Sequence, residues 1–148
     1  MSEKNPYFDI SFVGGTLVTP AGPIEAGVGI RDGKIAAIGD INTSKSKKVV
    51  ECKGLHIFPG VIDSQVHFRE PGLTHKEDLE SGMRSAIAGG VTTIFEMPNT
   101  NPLTLTEETF AEKLKIASEN AYSNYAFYMG GSPTNIENLN TLELIEGC

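Results

Sequence analysis

"GVIDSQVHFREPGLTHKEDLESGMRSAIAGGVTTIFEM", residues 60–97, decides the fold. It opens on a strand-like run through Phe68 and changes period over "THKEDLESGMRSAIAGG", where Leu79, Met83, Ala86 and Ile87 recur at helical spacing. Thr74 with Glu77 three residues on reads as a capping box at the helix start, and Gly89-Gly90 as its end. "VTTIFEM" is then a second strand. A strand, a helix and another strand in succession put the two strands parallel with the helix packed on their face.

The same rhythm continues downstream. "TLTEETFAEKLKIASENA" (104–121) predicts a second helix, with Thr104 and Glu107 at its start and Phe110, Leu114, Ala117 and Ala121 facing inward. "NYAFYM" (124–129) is a third strand. "NIENLNTLELIEG" (135–147) begins a third helix through Ile136, Leu139, Leu142 and Ile145. Upstream the pattern differs: "FDISFVGGTLVTP", "GVGIRDGKIAAIG" and "KKVVECKGLHIF" are short apolar runs broken by glycine, and Asp32-Gly33 fits a type I′ hairpin turn. The chain therefore divides into an N-terminal β portion, residues 1–57, and a series of βα units, residues 58–148. The class is α/β. Three parallel strands do not close an eight-stranded barrel, so residues 58–148 read either as a small open-sheet domain or as the opening of a larger barrel.

Composition bounds the function. The 148 residues carry a net charge of −7, which argues against nucleic acid or an anionic membrane as partner, because both need a basic footprint. Cys52 and Cys148 lack a CxxC spacing and read as reduced thiols. The N-terminal "MSEKNPYFDISFVGGTLVTP" lacks a basic region followed by an apolar core, so a cytoplasmic location is expected.

Chemistry concentrates in "PGVIDSQVHFREPG", residues 59–72. Strand alternation places Asp63, Gln65, His67 and Arg69 on one side, and the C-terminal end of a parallel strand is where barrel enzymes keep their catalytic groups. Spacing alone is equally compatible with a strand end that has reached solvent. His56 and His75 read as structural, Asn99 beside Pro98 as a turn former, and Tyr122, Tyr125, Phe127 and Tyr128 as core and edge aromatics.

These residues resemble the "PGxxDxHxHxREPG" signature of dihydroorotases and related cyclic amidohydrolases. The resemblance extends through "THKEDLESG" and "AGGVTTIFEMPNTNP" and covers essentially the whole chain; "REPG" followed by "MPNTNP" leans it toward the dihydroorotase branch. It implies the opening part of a TIM-like (β/α)8 barrel preceded by a small β-sandwich. The implied activity is metal-dependent opening of a cyclic amide, interconverting N-carbamoyl-L-aspartate and dihydroorotate, with Zn²⁺, one or two per chain, as cofactor. By the same resemblance His67 is a metal ligand, Asp63 a supporting one, and Arg69 and Asn99 the grip on a small carboxylate-bearing substrate. The catalytic residues are expected beyond Cys148, and a homodimer is the self-association the family suggests. Gln65 stands where the signature has its first histidine. An amide oxygen is a weaker zinc ligand than an imidazole, which leaves a one-metal enzyme, a two-metal enzyme and a silent scaffold all open. An allantoinase- or hydantoinase-type enzyme is the alternative activity.

Overall fold

The computed structural model describes residues 7–142 and 144–148, so the N-terminal reading of residues 1–6 and position Glu143 of the third predicted helix lie outside the described residues. The chain forms two compact units, one running through Pro59 and the other from Gly60 to Cys148.

The first unit contains strands β1 (Phe8–Val13), β2 (Thr16–Thr19), β3 (Gly22–Glu25), β4 (Gly27–Arg31), β5 (Lys34–Gly39), β6 (Ser46–Glu51) and β7 (His56–Ile57). They make a four-stranded sheet ordered β5-β4-β1-β6 and a three-stranded sheet ordered β3-β2-β7. Asp32 and Gly33 between β4 and β5 have φ of 51° and 72°, the two left-handed residues of the expected hairpin turn. The side chain of Asp9 fixes this corner: Oδ2 accepts from the Asp32 amide at 2.8 Å and Oδ1 pairs with Lys47 Nζ at 2.7 Å.

The second unit holds β8 (Val61–Val66), β9 (Val91–Glu96) and β10 (Asn124–Phe127), all parallel, with β9 in the middle. Helix α1 (Leu79–Ala88) connects β8 to β9, and α2 (Glu107–Asn120) connects β9 to β10. Val66, Leu79, Met83, Ile94, Phe110, Ala117 and Phe127 form one buried cluster between sheet and helices. Burying side chains of this size is worth roughly 1.5–3 kcal/mol each, which is what holds two short helices on three strands.

Both helix starts differ from the sequence reading. Helix α1 begins after Asp78, whose Oδ1 accepts from the Ser81 amide at 2.7 Å; Thr74, in a turn, and Glu77 both precede it. A carboxylate already placed at the N-cap outcompetes a hydroxyl four residues earlier. Helix α2 is capped by Thr106, reciprocally with Thr109, and not by Thr104, which is buried. Ile87, expected to face the core, is exposed, and Ala121 is the exposed C-cap of α2. The third predicted helix shrinks to a 3₁₀ turn at Ile136–Asn138 followed by α3 (Leu139–Leu142); Leu142 is buried while Ile136 is 65% exposed.

Gly82 of α1 lies against the ring of Phe68, and a Cβ at this position would stand 2.5 Å from a ring carbon. Gly82→Ala is therefore expected to destabilise the whole protein by about 1–3 kcal/mol despite its better helix propensity, a cost that chemical denaturation measures.

Candidate functional site

Strand β8 carries the signature residues, and it is irregular where they begin. Asp63 is opposite Ile94 and Val66 opposite Glu96, so β8 has one more residue than β9 between these points. This bulge breaks the two-residue alternation, and the strand ends at Val66. The expectation that Asp63, Gln65, His67 and Arg69 share one side through strand geometry is thus corrected: His67 and Arg69 lie in the loop beyond the strand. Bulges beside active sites commonly re-aim side chains in this way. Within the bulge Asp63 Oδ1 accepts from the Gln65 amide at 3.1 Å, and the Tyr128 hydroxyl donates to the Ser64 carbonyl at 3.0 Å.

His67 and Asn99 come together from the ends of β8 and β9. His67 Nδ1 lies 2.9 Å from Asn99 Oδ1. With its proton on Nδ1 the ring donates to the amide oxygen, which leaves the Nε2 lone pair free and fixes the plane of the imidazole. That is how a metal-ligating histidine is usually oriented. Asn99, expected to grip substrate alongside Arg69, thus spends its oxygen on His67 and keeps its Nδ2 donors.

Arg69 is held in an uncommon conformation. Its φ is 69°, left-handed for a residue with a Cβ, which costs on the order of 1–2 kcal/mol. Its amide donates to Glu96 Oε1 at 3.0 Å, and its carbonyl accepts from the Leu73 amide at 3.0 Å. The segment that follows interlocks with the one after β9: the Asn101 amide donates to the Pro71 carbonyl at 3.0 Å, and Gly72 packs so closely on Asn101 that no side chain fits there. The "REPG" and "MPNTNP" stretches are two halves of one built loop pair.

Glu96 is itself buried, and it meets Lys113 of α2, whose Nζ is 3.0 Å from Oε2; the two side chains are 1% and 0% exposed. The contact is close but not aligned as a hydrogen bond at Oε2. Lys113 donates instead to the Met97 carbonyl at 3.1 Å and Thr104 Oγ1 at 3.4 Å, and its ammonium lies 5.1 Å from the centre of the Phe127 ring. Burial raises the Glu96 carboxyl above its ordinary pKa, opposed by Lys113, and burial lowers the Lys113 ammonium, opposed by Glu96. Sequence reading missed this pair. Its signal is a lysine at the position of α2 that shares a stripe with Phe110 and Ala117.

The description of the Amidohydrolase family matches residues 56–147, through both loops and all three parallel strands. The chain belongs to the amidohydrolase family. Members of this family are hydrolases, generally metal-dependent. The chain is 38% identical over 135 residues to the allantoinase of Deinococcus radiodurans, covering 90% of the chain and 30% of that protein. It is 37% identical over 111 residues to the dihydroorotase of Pyrococcus abyssi, covering 74% of the chain and 28% of that protein. In structure it superposes on the L-hydantoinase (dihydropyrimidinase) from Arthrobacter aurescens with a TM-score of 0.84 and 34% identity, covering 92% of the chain and 31% of the hydantoinase. The chain thus spans about 30% of the length of the curated relatives it matches. These likenesses support the cyclic amidohydrolase branch. They do not single out dihydroorotase within it, because the allantoinase match covers more of the chain at a similar identity.

Of the residues gathered here, His67, its imidazole oriented by Asn99, could hold a metal, and Asp63 and Gln65 carry oxygen donors on the bulge before it. Among the described residues no three His, Cys, Asp or Glu side chains are gathered to hold an ion. The chemistry of His67 fits a metal; the set in this chain is partial. Among the described residues no helix is long and apolar enough to cross a membrane.

Proposed function

We propose that the whole protein hydrolyses the acyl C–N bond of a cyclic ureide, with dihydroorotate and N-carbamoyl-L-aspartate as the pair it interconverts. The observation that carries this reading is His67, its Nδ1 tied to Asn99 and its Nε2 free, one residue from Phe68 and two from the strained Arg69. A zinc ion bound at Nε2 with ligands from the rest of the protein, on a (β/α)8 barrel of which β8 to β10 are the opening strands, would supply an acidified water and polarise the ring carbonyl. The residues of this chain do the binding and aiming. Arg69 presents a guanidinium whose fork matches a carboxylate with two parallel hydrogen bonds, and Asn99 Nδ2 donates to a ring or carboxylate oxygen. Asp63 supports the strand end beneath. A cytoplasmic homodimer acting on a small carboxylate-bearing substrate, with neither nucleic acid nor membrane as partner, completes the proposal.

A second reading is an allantoinase or hydantoinase. It is favoured by the likeness to the D. radiodurans and A. aurescens proteins. The test assays the whole, metal-loaded protein on dihydroorotate, allantoin and hydantoin in parallel. Turnover of dihydroorotate, with Arg69→Ala raising KM by about 10- to 100-fold at unchanged metal content, is the expected result, the loss matching a charged hydrogen-bonded pair. Turnover of allantoin or hydantoin alone replaces it with the second reading. No turnover and no bound metal leaves a silent scaffold.

A further inference from the structure

We infer that Glu96 is a positioning residue that sets the left-handed conformation of Arg69, and that Lys113 anchors Glu96 for this purpose. The inference rests on the reading of Arg69 as a substrate grip.

Three observations lead to it. Arg69 occupies a backbone conformation that side-chain-bearing residues rarely adopt, and its own amide donates to the carboxylate of Glu96 at 3.0 Å. Glu96 is the last residue of the central strand β9, and its backbone carbonyl accepts from the Tyr128 amide at 2.9 Å, so the carboxylate is mounted on the most constrained strand of the sheet. Lys113 reaches Glu96 from the buried face of α2 and is tied on its other sides to Met97 and Thr104. A strand, a helix and the loop after β9 thus converge on one peptide unit.

Stability alone does not account for this arrangement. Replacing a buried ion pair by apolar residues of similar volume is often neutral or stabilising. The three backbone and hydroxyl bonds that radiate from the pair have a geometric result instead: they fix where the Arg69 Cα stands and the direction in which its side chain leaves the loop. A guanidinium displaced by about 1 Å from its ligand loses much of its bidentate grip, and errors of that size cost about 100-fold in well-oriented sites.

The experiment compares three forms of the whole protein: wild type, Glu96→Leu/Lys113→Met, which removes both charges together, and Glu96→Gln/Lys113→Met, which keeps an acceptor oxygen for the Arg69 amide. Unfolding transitions establish that each is folded. KM, kcat and metal content are then measured on the ring substrate, and crystal structures give φ at residue 69. The expected result is a KM raised about 10- to 100-fold in the Leu/Met form, with metal content unchanged and φ at residue 69 no longer positive, and recovery of most of that loss in the Gln/Met form. A Leu/Met form that keeps both its positive φ and its wild-type KM overturns the inference. If Arg69→Ala leaves KM unchanged, the substrate-grip reading has failed; φ at residue 69 in the Leu/Met form still decides whether Glu96 sets that conformation. A Leu/Met form that does not fold transfers the comparison to Glu96→Gln alone against Glu96→Ala, where equal KM in the two overturns the inference.

Discussion

Replacing Lys113 alone by methionine is expected to cost about 3–5 kcal/mol of folding stability, the largest single effect we anticipate in this chain. Methionine fits the volume of the lysine stem, so the loss comes from what is left behind. Glu96 stays buried, with the Arg69 amide donating to one oxygen and no cation near the other. The cost carries a pH signature with a definite sign. Burial already raises the Glu96 carboxyl above its ordinary value of 4.5, and Lys113 is the first-ranked force opposing that rise. Without Lys113 the native carboxyl binds its proton more tightly still, while in the unfolded chain it titrates normally. The native state then holds more protons than the unfolded state between the two values, so the stability of the variant falls as pH rises through that window. Denaturation midpoints should place Lys113→Met closer to wild type at about pH 5 than at about pH 8. A midpoint difference that is the same at both would mean that Glu96 does not bear the cost.

His67→Ala should abolish turnover on whichever ring the whole protein opens, by at least about 10³-fold, because the several kcal/mol a Lewis acid supplies depends on its ligands. Metal content measured by elemental analysis should fall in parallel. Asn99→Ala is the more discriminating change. It removes the acceptor for His67 Nδ1 without touching the ligand, and should weaken metal affinity by about 10- to 100-fold. If Asn99 serves the substrate alone, KM changes and metal affinity does not. Titration with a competing chelator separates these outcomes.

The parallel sheet was legible in the chain because its signals are long and periodic: Leu79 and Met83, or Phe110 and Ala117, repeat at a spacing that one helix face explains, and the core is built from them. The hairpin at Asp32-Gly33 was legible because few residues accept its conformation. Helix starts were not, since Thr74, Asp78, Thr104 and Thr106 are all competent caps and tertiary packing chooses among them. Thr104 is taken by the buried lysine, which leaves Thr106 to cap. His67 and Arg69 were named as candidates from residue type and motif, while the geometry around them was hidden for a physical reason. A bulge inserts one residue and reverses every alternation after it, and nothing in "DSQV" announces one. The ion pair beneath Arg69 joins residues 17 positions apart, Glu96 and Lys113, on different elements, a distance over which periodicity is silent.

The bulge in β8 also bears on what position 65 can hold. The ladder to β9 passes over Ser64 and Gln65, and the backbone there is satisfied by Asp63 and Tyr128. An exchange of side chain at 65 therefore touches no pairing that the sheet depends on. Glutamine and histidine at 65 are therefore equivalent to the ladder, and what separates them is the chemistry of an amide against an imidazole. A Gln65→His protein that unfolds at the wild-type midpoint and differs only in how much metal it retains is the form that freedom would take.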